Sequence, residues 1–374
     1  MAEKTIKRAL WLGPEANYGV DPGSYLSVPL KSPSDITEGR VVIETNRTTG
    51  RTAATDSIPG PNSASLSGSV EVLGLTAQAG DGVAPGARDY FDEILRGILG
   101  IEEAFDGQAV STHSGTSLDL GAGAPAYAAG DIVILQDAGG NVVPAIIAAD
   151  LGGGSFTLVS DPGITATVAL GCRAFRDDDG TDQSQTFYGV FAEDSGLYNL
   201  PGIRFTSATL NAVPTDSAML ALEMAADESP ASTKTGLPAQ SGATPSTPLR
   251  LATVYADGVA VPTSSVEVNF GLQTAPLAST ARPNGRSNHL LVRMAPMITI
   301  IPLITEAQRQ LRQQQTVRSL LVHLGGARGL TIAAGRCQVT DDSRVDESGV
   351  LRYSQTYTVR DSGSAYPQIQ AVRH

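Results

Sequence analysis

The segment Asp177-Asp-Asp-Gly-Thr-Asp182 gathers four carboxylates around one glycine. Carboxylates crowded on a glycine turn can hold a hard cation through oxygen, which makes Asp177, Asp179 and Asp182 the candidate metal ligands. No glutamate follows the first aspartate at the spacing that closes an EF-hand loop, so a solvated turn is the favoured reading. The histidines are His113, His289, His323 and His374, and none lies in an H-E-x-x-H pattern or at ligand spacing from a second soft donor. His323 ends an apolar run and reads as a packed residue rather than a base. Cys172 and Cys337 stand far apart in no partner motif, and neither is expected to be a nucleophile. The pieces GAGAP and LGGGS lack the lysine and following helix of a phosphate loop, and read as turns. No catalytic residue, no cofactor and no firm metal site is expected.

Charge narrows the function classes further. Asp and Glu outnumber Lys and Arg by 38 to 26, a formal net charge of −12. A surface that grips phosphates needs clustered cations. This balance suits solubility instead, or a surface past which nucleic acid moves without adhering. Two cysteines in 374 residues exclude a disulfide scaffold and fit a reducing compartment. The opening MAEKTIKRALWLGPEANYG has basic residues but no apolar run of signal-peptide length. No stretch reaches the ~20 apolar residues of a membrane span. A soluble protein made in a cytoplasm is expected. Aromatic content of 5% with one tryptophan, Trp11, disfavours a sugar site built on stacked rings.

The elements that must carry any function are mostly strands, as 40 Gly and 22 Pro favour strands and turns over helices. A first strand is expected at 36–47, around Val41, Val42 and Ile43. A polar loop separates it from a strand at 63–73, where Ala64, Leu66, Gly68, Val70 and Val72 alternate with Ser63, Ser65, Ser67, Ser69 and Glu71. In GARDYFDEILRGILG, Tyr90, Phe91, Ile94, Leu95, Ile98 and Leu99 share one helical face. Arg88 and Asp92 are spaced for an i,i+4 pair, and Gly100 suits a left-handed C-terminal cap. Such a helix must pack on a sheet. From 107 to 183 short alternating runs (Ile132–Leu135, Val142–Ile147, Ser155–Val159) between glycine turns read as a small inserted all-β domain. Strands resume at 184–193, 203–213 and 217–225. Residues 227–248 read as a Ser/Thr/Pro/Gly linker or exposed loop.

The last third repeats the order of the first. VPTSSVEVNFGLQ is a strand, TAPLASTARPNGRSN a polar loop and HLLVRMAPM a strand. A helix opens at Thr305 with Gln308 three residues on, a capping-box pattern. Strands follow at 317–323, 330–339 and 350–359. A local echo pairs Pro61-Asn62 with Pro283-Asn284, Ser65 with Ser287 and Val70 with Val292. The domains expected are 1–106 with 184–226, the insert 107–183, the linker 227–248, and 249–374.

At this point the chain resembles the tail tube (major tail) proteins of long-tailed bacteriophages, in their form with two tube domains per chain. The resemblance is carried by EANYGVDPG, IETNRTTGR, IPGPNSASLSGSVEV, ILRGILG, YNLPGIRFTSATLNAVPTDSAMLALEM and the C-terminal strand–helix–strand segment. It covers most of the chain outside the insert. It implies a mainly β fold: two β-sandwich or barrel-like tube domains, each flanked by an α-helix, plus the inserted all-β domain. It implies no enzymatic activity, and a structural virion protein in the tail, assembled in the host cytoplasm.

The resemblance further implies closed rings stacked into a tube, made by self-association. The other partners it implies are terminator, tip or tape-measure proteins of the tail, and double-stranded DNA that passes through the lumen without specific binding. Sheet edges left open in one copy would be completed by the next. The loop Thr45 to Gly60 resembles the extended loop by which one ring grips another. Arg47, Arg51 and Asp56 there, Arg282 and Asn284 in the second loop, and Trp11 and Tyr18 in the N-terminal arm are the expected contact residues. If the duplication holds, three chains supply six tube domains; otherwise six chains form the ring. The competing readings are a β-rich adhesin or carbohydrate-binding module, and a hydrolase using Asp177 or Asp179.

Overall fold

The computed structural model describes residues 8–33, 36–44, 57–75, 85, 87–177, 184–193, 196–226, 238, 248–250, 252–278, 286–302, 317–347, 350–360 and 368–374. These are mainly β, with one α-helix among them. The strands form because apolar residues recur at every second position, so each buries one face and wets the other.

A first unit has two sheets. β1 (Arg8–Pro14), β2 (Leu26–Val28), β14 (Phe187–Glu193) and the first half of β15 (Gly196–Ala212) run in the order β2-β1-β14-β15. β3 (Thr37–Glu44), β4 (Ser57–Glu71), β16 (Met219–Ala226) and the second half of β15 run in the order β3-β4-β16-β15. β15 therefore crosses from one sheet to the other. Bulges against β14 at Phe187/Gly189 and against β16 at Phe205/Ser207 supply the bend. Leu10, Leu12 and Phe191 of one sheet share a buried core with Leu66, Val70, Leu220 and Met224 of the other.

The same plan recurs. β17 (Ala252–Ala256), β18 (Val259–Val261), β23 (Arg318–Gly325) and the first half of β24 (Gly329–Glu347) run in the order β18-β17-β23-β24. The second sheet joins a long hairpin to β25 (Val350–Val359) and the second half of β24. That hairpin is β19 (Thr263–Asn269) with β22 (Met297–Pro302), continued by β20 (Leu272–Ala278) with β21 (Arg286–Met294). The correspondence extends to the register. The pair Arg40–Asn62 matches Leu272–Met294, a displacement of 232 residues (272 − 40 and 294 − 62), and the next bulge falls at Val42–Pro59 and at Thr274–Leu291. Shifts at Arg318/Leu320 and Val339/Asp341 stand where β15 has its own two bulges.

The echo seen in the sequence is out of step with this. It would set Asn62 beside Asn284, whereas strand pairing makes Met294 the counterpart of Asn62. Pro-Asn pairs follow local turn chemistry, which can recur anywhere a loop bends. Position in a sheet follows the alternation of buried residues.

The helix α1 (Tyr90–Leu99) packs into the first unit. Asp89 caps it, its side chain accepting from Phe91 N and Asp92 N, while Asp92 reaches back to Asp89 N at 3.1 Å. Gly100, at φ 95°, ends it. Phe91, Ile94, Leu95 and Ile98 are fully buried, each contributing about 1.5–3 kcal/mol. Gly97 is the point of closest approach: a Cβ there would lie 2.5 Å from the rings of Phe187 and Phe205.

The insert is a seven-stranded sheet built from β6 to β12 (Gln108–Ala109 to Ala166–Ala169). β5 (Ile101–Phe105) and β13 (Cys172–Arg176) are its two stems. β13 was expected inside the insert, yet it pairs with β5 on one side and β26 (Gln370–Arg373) on the other, extending the sheet of β24. The insert's core, with Ile132, Ile134 and Phe156, closes over Leu321, Ala333 and Val372 of the second unit. The helix expected at Thr305 and most of the 227–248 linker lie outside the described residues.

Candidate self-association edges

The two units meet edge to edge. β15 pairs β19 antiparallel, with Thr209 opposite Asn269, Leu210 opposite Val268, Asn211 opposite Glu267 and Ala212 opposite Val266. The result is a run of eight strands, β3-β4-β16-β15-β19-β22-β25-β24. Among the described residues β3 is paired only by β4, and β24 beyond Cys337 only by β25. The bulge alignment makes Ser343 the counterpart of Thr209 and Thr37 the counterpart of Asn269. The outer edges of the run therefore correspond to the two edges that meet in its middle.

The core side of the middle join is dry. Ala208, Leu210, Val266, Val268 and Phe270 are all buried, and Phe270 N–H donates to Ala208 O at 3.0 Å. The opposite face of the run carries short polar side chains: Ser65, Ser67, Glu223, Thr209, Glu267, Thr299 and Thr356. Thr299 and Thr356 hydroxyls meet across β22 and β25 at 3.1 Å. Hydroxyls and carboxylates on this face give a wet surface of weakly negative sign.

Interior charges brace the first unit against β26. Arg373, fully buried, donates to Asp89 Oδ1 at 2.8 Å and Asp89 Oδ2 at 2.9 Å, to Asp92 Oδ1, and to the carbonyls of Leu73 (3.1 Å) and Gly74 (2.5 Å). Arg173 Nη1 donates to Asp92 Oδ2 at 3.0 Å. Burial pulls the Arg373 pKa down, but Asp92 and Asp89 outweigh it and the net shift is upward. Burial raises the Asp92 carboxyl against the pull of Arg373. The i,i+4 pair expected between Arg88 and Asp92 is not made. Arg88 binds Glu102 instead (Nη2–Oε2 2.7 Å), because Asp92 is turned into the interior toward these two arginines.

His323 and His374 stack with ring centroids 5.2 Å apart. Burial pushes them down to about 4 and about 3. Burial likewise pushes the Cys172 and Cys337 thiols up to about 12, so at neutral pH both are protonated. Among the described residues no three His, Cys, Asp or Glu side chains are grouped as metal ligands. Asp177 follows β13, half-buried, while Asp179 and Asp182 lie outside the described residues.

Trp11 is not a surface residue. It lies on the face of β1 opposite Leu10 and Leu12, 4% exposed, packed on Tyr25 and its cross-strand neighbour Val190. Its ring packs within the chain's own first unit. Tyr18 is half-buried against Gly202, where φ is 68° and a Cβ would lie 2.3 Å from the ring. Arg47, Arg51, Asp56, Arg282 and Asn284 lie outside the described residues. The edge residues of β3 and β24 were not anticipated as contacts.

No protein-family model matches the chain, and a search of characterised proteins returns no match. No helix among the described residues is long and apolar enough to cross a membrane.

Proposed function

We propose that this chain is a structural subunit of a virion tail tube, associating with copies of itself into rings that stack into a conduit for DNA. One observation carries the proposal: a four-stranded unit occurs twice, its copies are joined edge to edge by β15 and β19, and the same two edges remain at the ends of the run. A join that continues itself is heterologous, and it closes into a ring when the rotation per unit divides a full turn. Two units per chain make three chains sufficient for a ring of six units. The wet face of the run, lined with hydroxyls and carboxylates, then faces the lumen. Such a lining is mostly hydroxyl and carboxylate, with Arg352 of β25 on the same face as Thr356, and its carboxylates repel phosphates. Terminator, tip and tape-measure proteins are the partners this role implies.

The register supplies the experiment. In the middle join Thr209 and Asn269 stand between the hydrogen-bonded pairs, the position where Cα atoms approach to ~4.5 Å and a disulfide fits. Thr37→Cys with Ser343→Cys should give covalent multimers on oxidation, alongside rings in negative stain. Both native cysteines are buried and stay silent. A protein that oxidises only as a monomer and shows no rings at high concentration ends the proposal.

A further inference from the structure

We infer that a cavity between the two units is a site for a small multivalent anion, whose carboxylate or phosphate groups are held by Arg250 and Arg328. The cavity has a volume of about 420 Å³. Glu71 at the end of β4 and Ser217 just before β16 form its first-unit side. Gly325 and Arg328, in the turn between β23 and β24, form its second-unit side, and Leu249 and Arg250, just before β17, complete it. The volume falls in the range of small-molecule sites.

The walls are fixed by main-chain bonds. Val72 N–H donates to Ala218 O at 2.9 Å, Leu249 N–H to Val72 O at 2.9 Å and Ala218 N–H to Leu249 O at 2.8 Å. The turn is pressed against this frame without room for a side chain. A Cβ on Gly74 would lie 2.7 Å from Arg328 C, and one on Gly325, at φ 88°, would lie 2.9 Å from Leu249 Cδ2. A ligand that binds here meets a preformed opening, so little ordering opposes it.

Charge names the ligand. Among the described residues neither Arg250 nor Arg328 makes a hydrogen bond or an ion pair, and both are exposed. Arg88 and Arg176, by contrast, are matched by Glu102 and Asp131. The cavity's own carboxylate, Glu71, is taken by Lys31. Asp216, the neighbour of Ser217, is turned onto the Ser217 N–H at 2.7 Å. Two guanidinium groups are thus left facing one opening in a chain whose net charge is −12. Guanidinium donors match the paired oxygens of carboxylate and phosphate, and two such forks favour a ligand with more than one anionic group.

Calorimetric titration of citrate, and separately of inorganic phosphate, into the full chain at constant ionic strength tests this. Both anions stabilise most proteins by exclusion alone, so saturable heat at low concentration is the readout rather than melting temperature. Arg250→Gln and Arg328→Gln should each weaken citrate binding about tenfold. Arg336→Gln, at an exposed arginine outside the cavity, should leave it unchanged. Because neither cavity arginine has a partner to lose, the variants should melt with wild type when no anion is present. Sedimentation velocity separates two sources of the same chemistry. Association unaffected by citrate assigns the site to a free anion, whereas association lowered by citrate and by both variants assigns it to carboxylates of a second copy. Citrate binding that survives the Arg250→Gln/Arg328→Gln double variant overturns the site. So does the absence of saturable heat from both anions, if association is also indifferent to the variants. The Thr37→Cys/Ser343→Cys cross-link involves none of these residues, so the ring reading stands or falls separately.

Discussion

Thr206 and Thr340 fill the same bulge in the two halves of one eight-strand run. Each is the extra residue where a long strand leaves one partner and takes up the next, Thr206 between Phe205 and Ser207 against β16, Thr340 between Val339 and Asp341 against β25. The bulge restores alternation after the corner, so Leu210 points to the core and Thr209 away from it. Deleting Thr340 should slip everything beyond it by one residue and exchange the two faces. The expected outcome is a cooperative but less stable protein that no longer forms the Thr37→Cys/Ser343→Cys cross-link. A deletion variant that cross-links as before would show that the bulge does not set the edge.

Arg373 ties β26 to the capped start of α1, so its removal should be felt far along the chain. Arg373→Met leaves Asp89 and Asp92 buried with their main counter-charge gone, at a cost of about 3–5 kcal/mol in urea unfolding. Adding Asp89→Asn and Asp92→Asn should recover part of the loss, since the two anions are then removed and Arg173 keeps Glu102 at 3.5 Å. A loss unchanged by those substitutions would mean that Arg373 acts through packing on Phe91, whose ring centroid lies 5.2 Å from its guanidinium.

The stacked histidines set an acid limit on stability. Burial lowers His323 to about 4 and His374 to about 3 in the folded chain, against ~6.5 when unfolded. The unfolded chain binds protons first, so this contribution is whole above pH ~6.5, declines below it, and is gone once pH passes the folded values. Between pH 7 and 4.5 the wild-type melting temperature should fall more steeply than that of His323→Phe/His374→Leu. Parallel curves would remove the pair from the account.

The alternation of Ala64 to Val72 and the amphipathic stripe of α1 were legible in the sequence, because each is a local pattern with a fixed period. The edges were not. Asp341 to Glu347 falls outside the strands read at 330–339 and 350–359, yet it continues β24, because β25 pairs it residue for residue. A Ser-Gly dipeptide, a turn-favouring pair by type, follows it in the sequence. The partners of Asp92 were also hidden: Arg173 and Arg373 lie 81 and 281 residues away, and no spacing rule reaches that far. The capping box of Asp89 and Asp92 stands in the sequence just before the apolar run.

A proline scan along β24 separates the folding of the strand from its use as an edge. In the middle join Phe270 N–H donates to Ala208 O, so residues 208, 210 and 212 address β19 while 209 and 211 address β16. By the same parity the N–H groups of Asp342, Arg344 and Asp346 point outward, and those of Ser343 and Val345 point to β25. Proline removes one N–H and is tolerated on an edge strand only where that N–H faces solvent. Arg344→Pro should therefore lower association while leaving the melting temperature within a few degrees of wild type, whereas Ser343→Pro should lower the melting temperature first. Arg344→Gln isolates the charge, because it keeps the N–H. If Arg344→Pro and Arg344→Gln weaken association equally, only the charge matters there. If Arg344→Pro leaves association intact, no strand from a neighbour pairs at that edge.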